Sequence, residues 1–247
     1  MKLDDIIRDI PPTKLLYLEK PYSKTNETNL LKVVKESGSS YYLIPEKTIF
    51  YPKSGGQPND TGMIISPSFT LNVKKAFKVN DVVVLYGKSS GEPKLGKAEE
   101  AIDWDARYLY MRRHAAAHLF DGALKAATGK EYEPTDSWLG DESYVGYKGE
   151  MPSKDTVERV YSIMQDSIKK GLKVSSYIID NDSSVQLRKF WQNALKNARQ
   201  IRMVKIEGYD PIPCGGTHVE RLSELKGVRI DRLTTAEQGF RIYFDVL

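Results

Sequence analysis

The chain has 247 residues, with 37 Lys and Arg against 33 Asp and Glu, a formal charge of +4 at pH 7. That length allows one large or two modest domains, and the mild positive balance is compatible with an RNA partner without demanding one. A membrane helix needs about eighteen consecutive apolar residues, and no such run occurs. Met1-Lys2-Leu3-Asp4-Asp5 lacks the apolar core of a secretory signal. A cytoplasmic protein with no membrane partner is expected, in which a single cysteine stays reduced and available to metal.

From Thr13 to Leu85 the pattern predicts short strands at Leu15 to Leu18, Leu30 to Val34, Tyr41 to Ile44, Thr48 to Tyr51, Met63 to Ile65, Phe69 to Phe77 and Val82 to Leu85. Many short strands at close spacing suggest a small antiparallel barrel. Ser89-Ser90-Gly91-Glu92-Pro93-Lys94-Leu95-Gly96 reads as a linker, which puts a boundary between domains at 1–95 and 96–247. After it the period changes from that of strands to that of helices. A helix is expected from about Trp104 to Thr128, stopped by Gly129. A second is capped by Ser153, with Val157, Val160, Met164 and Ile168 inward and Gly171 at its end. Strands follow at Val174 to Ile179, Ile201 to Ile206, Val228 to Leu233 and Phe240 to Phe244. A third helix is expected from near Ser183, with Val185, Phe190, Trp191 and Leu195 inward. The fold class is therefore α+β, an N-terminal small antiparallel β-barrel followed by helices on an antiparallel sheet.

The whole inventory of three histidines and one cysteine falls in two short motifs, His114 and His118 in HAAAH and Cys214 and His218 in CGGTH. Imidazole and thiolate are preferred ligands of zinc, and four of them close a tetrahedral shell, or leave one position for water if the cysteine stands off. Residues four apart on an alanine-rich helix lie on one face, so His114 and His118 can point at a single ion. Pro211, Pro213, Gly215 and Gly216 preclude a helix at the second motif, which predicts a tight turn after a strand. A Zn2+ site joining two distant segments is expected, either catalytic or purely structural. Ala115 stands where a thermolysin-like protease needs the glutamate of HExxH, and Ala116 where the same motif would need the glutamate of the zinc-deaminase HxE.

HAAAH and CGGTH, in this order and separated by an α+β segment, resemble the editing domain shared by alanyl- and threonyl-tRNA synthetases. Phe50-Tyr51-Pro52-Lys53-Ser54-Gly55-Gly56-Gln57-Pro58-Asn59-Asp60-Thr61-Gly62 is similar to the glycine-rich motif of the alanyl side. Asp103-Trp104-Asp105-Ala106-Arg107 and Met111-Arg112-Arg113-His114 fit the same pattern. The match covers nearly the whole chain and leaves no stretch for an ATP-binding aminoacylation domain. The chain thus resembles the AlaX family of free-standing alanyl-tRNA editing proteins.

That resemblance implies a zinc-dependent ester hydrolase that acts in trans on misacylated alanine tRNA, chiefly seryl-tRNA, recognised through its acceptor stem. It implies zinc on His114, His118, Cys214 and His218, where the metal would activate a water or orient the substrate. Relatives commonly have threonine inside the first motif, HTATH or HTAAH, whereas Ala115, Ala116 and Ala117 stand here. Thr135, seventeen residues after His118, falls by counting near a pocket position that carries hydroxyl or amide side chains in relatives, although Glu133 to Ser137 diverges. Its other reading is a turn threonine after a proline. Gly55 and Gly56 either form a tight barrel turn or let the loop approach the catalytic domain, with Gln57 offering donor and acceptor there. Asp60 is expected to brace that loop. Arg107, Arg112 and Arg113 are candidates for RNA phosphates, as are Lys74, Lys75 and Lys78 on the barrel. Two alternatives stay open: a catalytically weak tRNA-binding module that keeps zinc as a staple, and threonyl-type editing.

Overall fold

The computed structural model describes residues 3–181, 191–192 and 195–247, which form two compact units, Met1–Leu109 and Tyr110–Leu247. In chain order the first unit carries α1 (Leu3–Ile7), β1 (Lys14–Leu15), α2 (Leu16–Glu19), β2 (Thr25–Ser37), β3 (Ser40–Pro45), β4 (Lys47–Thr48), β5 (Gly62–Ser66), β6 (Phe69–Val79), β7 (Val82–Ser90) and β8 (Gly96–Ile102). Six of these strands close a barrel in the order β2-β3-β7-β6-β5-β8, all in antiparallel pairs. Closure removes every sheet edge and encloses Leu43, Phe50, Ile64, Leu71, Val83 and Leu85, all fully buried.

Two sequence expectations change here. Leu15 to Leu18 is mainly the short helix α2, because Leu16 and Tyr17 are both buried and a helical turn puts both inward where alternation would not. The Ser/Gly/Pro segment after Ser89 is no passage between units, since β7 runs to Ser90 and β8 resumes at Gly96 within the same barrel. β8 escapes detection because its inward positions are Ala98, Glu100 and Ile102, so a carboxylate interrupts the apolar alternation.

In the second unit α3 (Trp104–Thr128), which begins in the first, carries HAAAH and ends at Gly129, whose φ of +70° supplies the left-handed stop. Its residues Met111, Ala115, Ala116, Leu119, Phe120 and Ala123 are wholly buried, so the helix is apolar around much of its circumference. β9 (Pro134–Trp138) and β10 (Tyr144–Lys148) follow, then α4 (Lys154–Lys170), capped by the Ser153 hydroxyl on the Thr156 amide and closed by Gly171 at φ +61°. Next come β11 (Val174–Asp180), β12 (Gln200–Ile206), β13 (Ile212–Pro213), β14 (Val228–Ala236) and β15 (Gly239–Val246). They form two antiparallel sheets, β14-β15-β10-β9 and β11-β12-β13. Phe120 of α3 packs on Phe244 of β15, with ring centroids 5.0 Å apart. Most of the third helix expected from Ser183, including Val185 and Phe190, lies outside the described residues. Among the described residues no helix is long and apolar enough to cross a membrane.

Candidate metal centre

α3 and β13 bring the two motifs together. His114 and His118 lie on one face of α3, and the short strand β13 pairs with β12 through Met203↔Pro213 and Val204↔Ile212, so that Cys214 leaves the sheet at a fixed point. Its amide donates to the Arg202 carbonyl at 2.9 Å. The Cys214 Sγ then stands 3.3 Å from His114 Nε2 and 3.6 Å from His218 Nε2, and His218 Nε2 is 3.3 Å from His118 Nε2. All four donor atoms lie within 4.8 Å of one another. Bond lengths of about 2.0–2.3 Å to a tetrahedral ion would separate such donors by about 3.3–3.7 Å, which those three separations match. The donor set therefore fits a metal ion.

Its electrostatics point the same way. Burial holds the His118 imidazole down to about 4, and holds those of His114 and His218 well below the usual histidine range, with the Arg202 charge adding to the effect. All three rings are neutral at pH 7 and keep a lone pair for coordination. The Cys214 thiol is pushed up to about 11 by burial, while the Gly216 amide, 3.3 Å from Sγ, and Arg202 favour the thiolate. A buried thiolate needs a stronger positive partner than these, which a divalent cation would provide.

The remaining predicted residues sit elsewhere or serve otherwise. Arg107 is wholly buried: it donates through Nε to Asp60 Oδ1 at 2.9 Å and through Nη2 to Asp60 Oδ2, with further bonds to the Ile49 and Pro21 carbonyls. A guanidinium so enclosed cannot meet an RNA phosphate, which corrects that expectation. Asp60 also accepts the Tyr51 amide at 2.6 Å, and so braces the glycine-rich loop. Arg112 donates to the carbonyls of Glu224, Leu225 and Leu247, and Arg113, buried, forks onto Asp245 and the carbonyls of Leu139 and Gly140. Both arginines tie α3 to the C-terminal strands and loops instead of facing outward.

Gly55 and Gly56 have φ of +54° and +80° between Ser54 and Gln57, which exchange both backbone hydrogen bonds. That is a type I′ hairpin turn, which demands left-handed backbone at both central positions. Gln57 is buried. Thr135 is exposed on β9, and its hydroxyl donates to Asp136 Oδ1 at 3.1 Å. Lys74 and Lys75 are both exposed although adjacent, because a bulge between Val73 and Lys75 breaks the alternation of β6. Sequence reasoning missed Arg202, whose position within a strand gave no sign that its side chain reaches CGGTH.

Residues 16–106 match the family of class II tRNA synthetases (A), and residues 201–243 match the threonyl and alanyl tRNA synthetase second additional domain. The alanyl-tRNA editing protein AlaX-M of Methanosarcina barkeri is 30% identical, over 95% of this chain and 99% of its own. AlaX-M of Methanosarcina mazei is 28% identical, over 95% and 97% respectively. The alanine–tRNA ligase of Hyperthermus butylicus is 30% identical over 96% of this chain, which covers only 26% of the ligase. With relatives matched end to end in this way, the chain belongs to the AlaX family of alanyl-tRNA editing proteins.

Proposed function

We propose that this protein removes the wrong amino acid, chiefly serine, from misacylated alanine tRNA by hydrolysing the aminoacyl ester in trans, with Zn2+ held by His114, His118, Cys214 and His218. The observation that carries the reading is the convergence of three Nε2 atoms and one Sγ from the two motifs in a chain of this family. Bound there, zinc supplies a Lewis acid for the ester carbonyl or for an attacking water. The protein's own residues do the rest. The neutral imidazoles offer lone pairs without competing protons, and buried Ala115 and Ala116 pack α3 closely with no carboxylate between its histidines. A general base of the protease type is therefore missing from the first motif, which favours an activated ester over a peptide as substrate.

Such a second step is chemically sensible, because a pocket shaped for alanine rejects serine poorly, whereas a site that hydrogen-bonds the hydroxyl discriminates well. The barrel unit is our candidate for holding the acceptor stem, since Lys74 and Lys75 project together from the β6 bulge and RNA helices are read mainly through shape and backbone. One observation favours the alternative of a tRNA-binding module with zinc as a staple: four protein donors within 4.8 Å form the closed set usual in structural sites. Deacylation of serine-charged and glycine-charged alanine tRNA by the metal-loaded protein separates the two. Rapid release of serine supports hydrolysis, and tight tRNA binding with no release above the uncatalysed rate overturns it.

A further inference from the structure

We infer that Arg202 is a positioning residue for the metal centre, acting through the Cys214 thiolate; the inference rests on the metal reading above. Arg202 lies on β12, next to the strand that delivers Cys214. It grips the cysteine from two directions. Its backbone carbonyl accepts the Cys214 amide at 2.9 Å, and its guanidinium Nη1 donates to the carbonyls of Cys214 at 2.8 Å and Gly216 at 3.2 Å. With both carbonyls held on one side of the turn, the Gly216 amide is left to point at Cys214 Sγ, 3.3 Å away.

The turn is open to solvent at its first glycine. Gly215 is exposed, and a side-chain carbon built there would meet nothing within 4 Å. A glycine pair carries more backbone freedom than any other dipeptide, so an unbraced Cys-Gly-Gly turn would let Sγ wander by more than the few tenths of an ångström that coordination tolerates. The guanidinium removes that freedom. Outer groups that orient a ligand typically change metal affinity by about 10–100-fold when lost. Both bonds leave one nitrogen, Nη1, whose two hydrogens are fixed in the guanidinium plane; the lysine ammonium keeps the charge without those fixed directions, so charge and geometry can be told apart.

The test uses the full chain loaded with Co2+, whose thiolate-to-cobalt absorption reports Sγ directly, with Arg202→Lys, Arg202→Met and Cys214→Ser. We expect Arg202→Lys and Arg202→Met to weaken that band and to speed metal release to a chelator by about 10–100-fold. In a Cys214→Ser background the same substitutions should speed release no further, since the residue they act through is gone. A band and release rate unchanged in Arg202→Lys overturn the inference, as does an undiminished effect of Arg202→Lys in Cys214→Ser. Equal losses of thermal stability in the metal-free and loaded variants would also overturn it, making Arg202 a residue of the fold alone. Wild-type protein that takes up no cobalt overturns the metal centre itself, a result distinct from the others.

Discussion

Each unit of this protein buries a polar cluster, and the two clusters are built on opposite terms. In the barrel unit Arg107 and Asp60 neutralise each other, and the Tyr51 amide and the Ile49 and Pro21 carbonyls take up further donors and acceptors. In the second unit three imidazoles and a thiol bring their donor atoms within 4.8 Å of one another, with the cation Arg202 beside them. A cluster whose members satisfy each other holds a fold together. A cluster whose lone pairs all point at one spot is completed by something that accepts them.

The contrast can be broken by substitution on either side. Removing one partner of a buried ion pair leaves an uncompensated charge, so Asp60→Ala should cost the barrel unit about 3–5 kcal/mol by chemical denaturation. Metal content per folded chain should not change; if it drops in step with stability, the two clusters are not independent. His114→Ala and His218→Ala should do the converse. Metal analysis should find well under one ion per chain, and release of serine from alanine tRNA should slow by at least about 100-fold, while amide exchange in β6 and β7 stays as it was.

Acidity sharpens the comparison further, because the units carry opposite signs. Histidines held low by burial resist protonation only when folded, so the metal-free second unit should lose stability as pH falls from 6.5 towards about 4. In loaded protein the same protons should expel the metal. Glu100 of the barrel is pushed up to about 7 by burial, with Oε2 accepting the Ile49 amide and Oε1 unpartnered. Its contribution is complete below 4.5 and is lost as pH rises to about 7. Amide exchange followed strand by strand in the metal-free protein should show β8 and β12 changing in opposite directions over this range; parallel changes would remove Glu100 or the histidines as the cause.

Smaller effects concern RNA. Replacing both Lys74 and Lys75 by alanine should weaken tRNA binding at low salt and reduce the salt slope by about 2, as loss of two phosphate contacts requires. An unchanged slope would place the stem elsewhere. The smallest effect is expected from Thr135→Val, which should lower hydrolysis of the serine ester a few-fold more than that of the glycine ester by deleting a hydrogen bond at constant volume. Equal rates would leave Thr135 serving Asp136 alone.

Much of this was legible in the sequence, for identifiable reasons. The metal motifs stand out because all the histidines and the cysteine are in them, and α3 and α4 are bounded by cap and stop residues at Gly129, Ser153 and Gly171. β9 and β10 are not visible in that way. Pro134 and Asp136 are disfavoured in strands, and the pairing bulges between Val145 and Tyr147. There Gly146 admits the Asp136 carboxylate, which lies 2.2 Å from where a side-chain carbon would be. The arginines were misread for a different reason. A cation on a helix gives no local sign of whether it faces solvent, and Arg107, Arg112 and Arg113 are satisfied by residues 26 to 135 positions away.

The spacing of the metal donors also bears on how the chain reaches its final state. His114 and Cys214 are 100 residues apart. Closing a loop of that size is an entropic debt, and a permanent crosslink over it would restrict the unfolded chain by about 4–5 kcal/mol in the chain-entropy model. A coordinated ion would act as such a crosslink only where the four donors are already gathered, which the β12–β13 pairing helps to do. If the site takes a metal, capture would come late in maturation, because a chain emerging from synthesis has its four donors in one place only once residue 218 is free to fold.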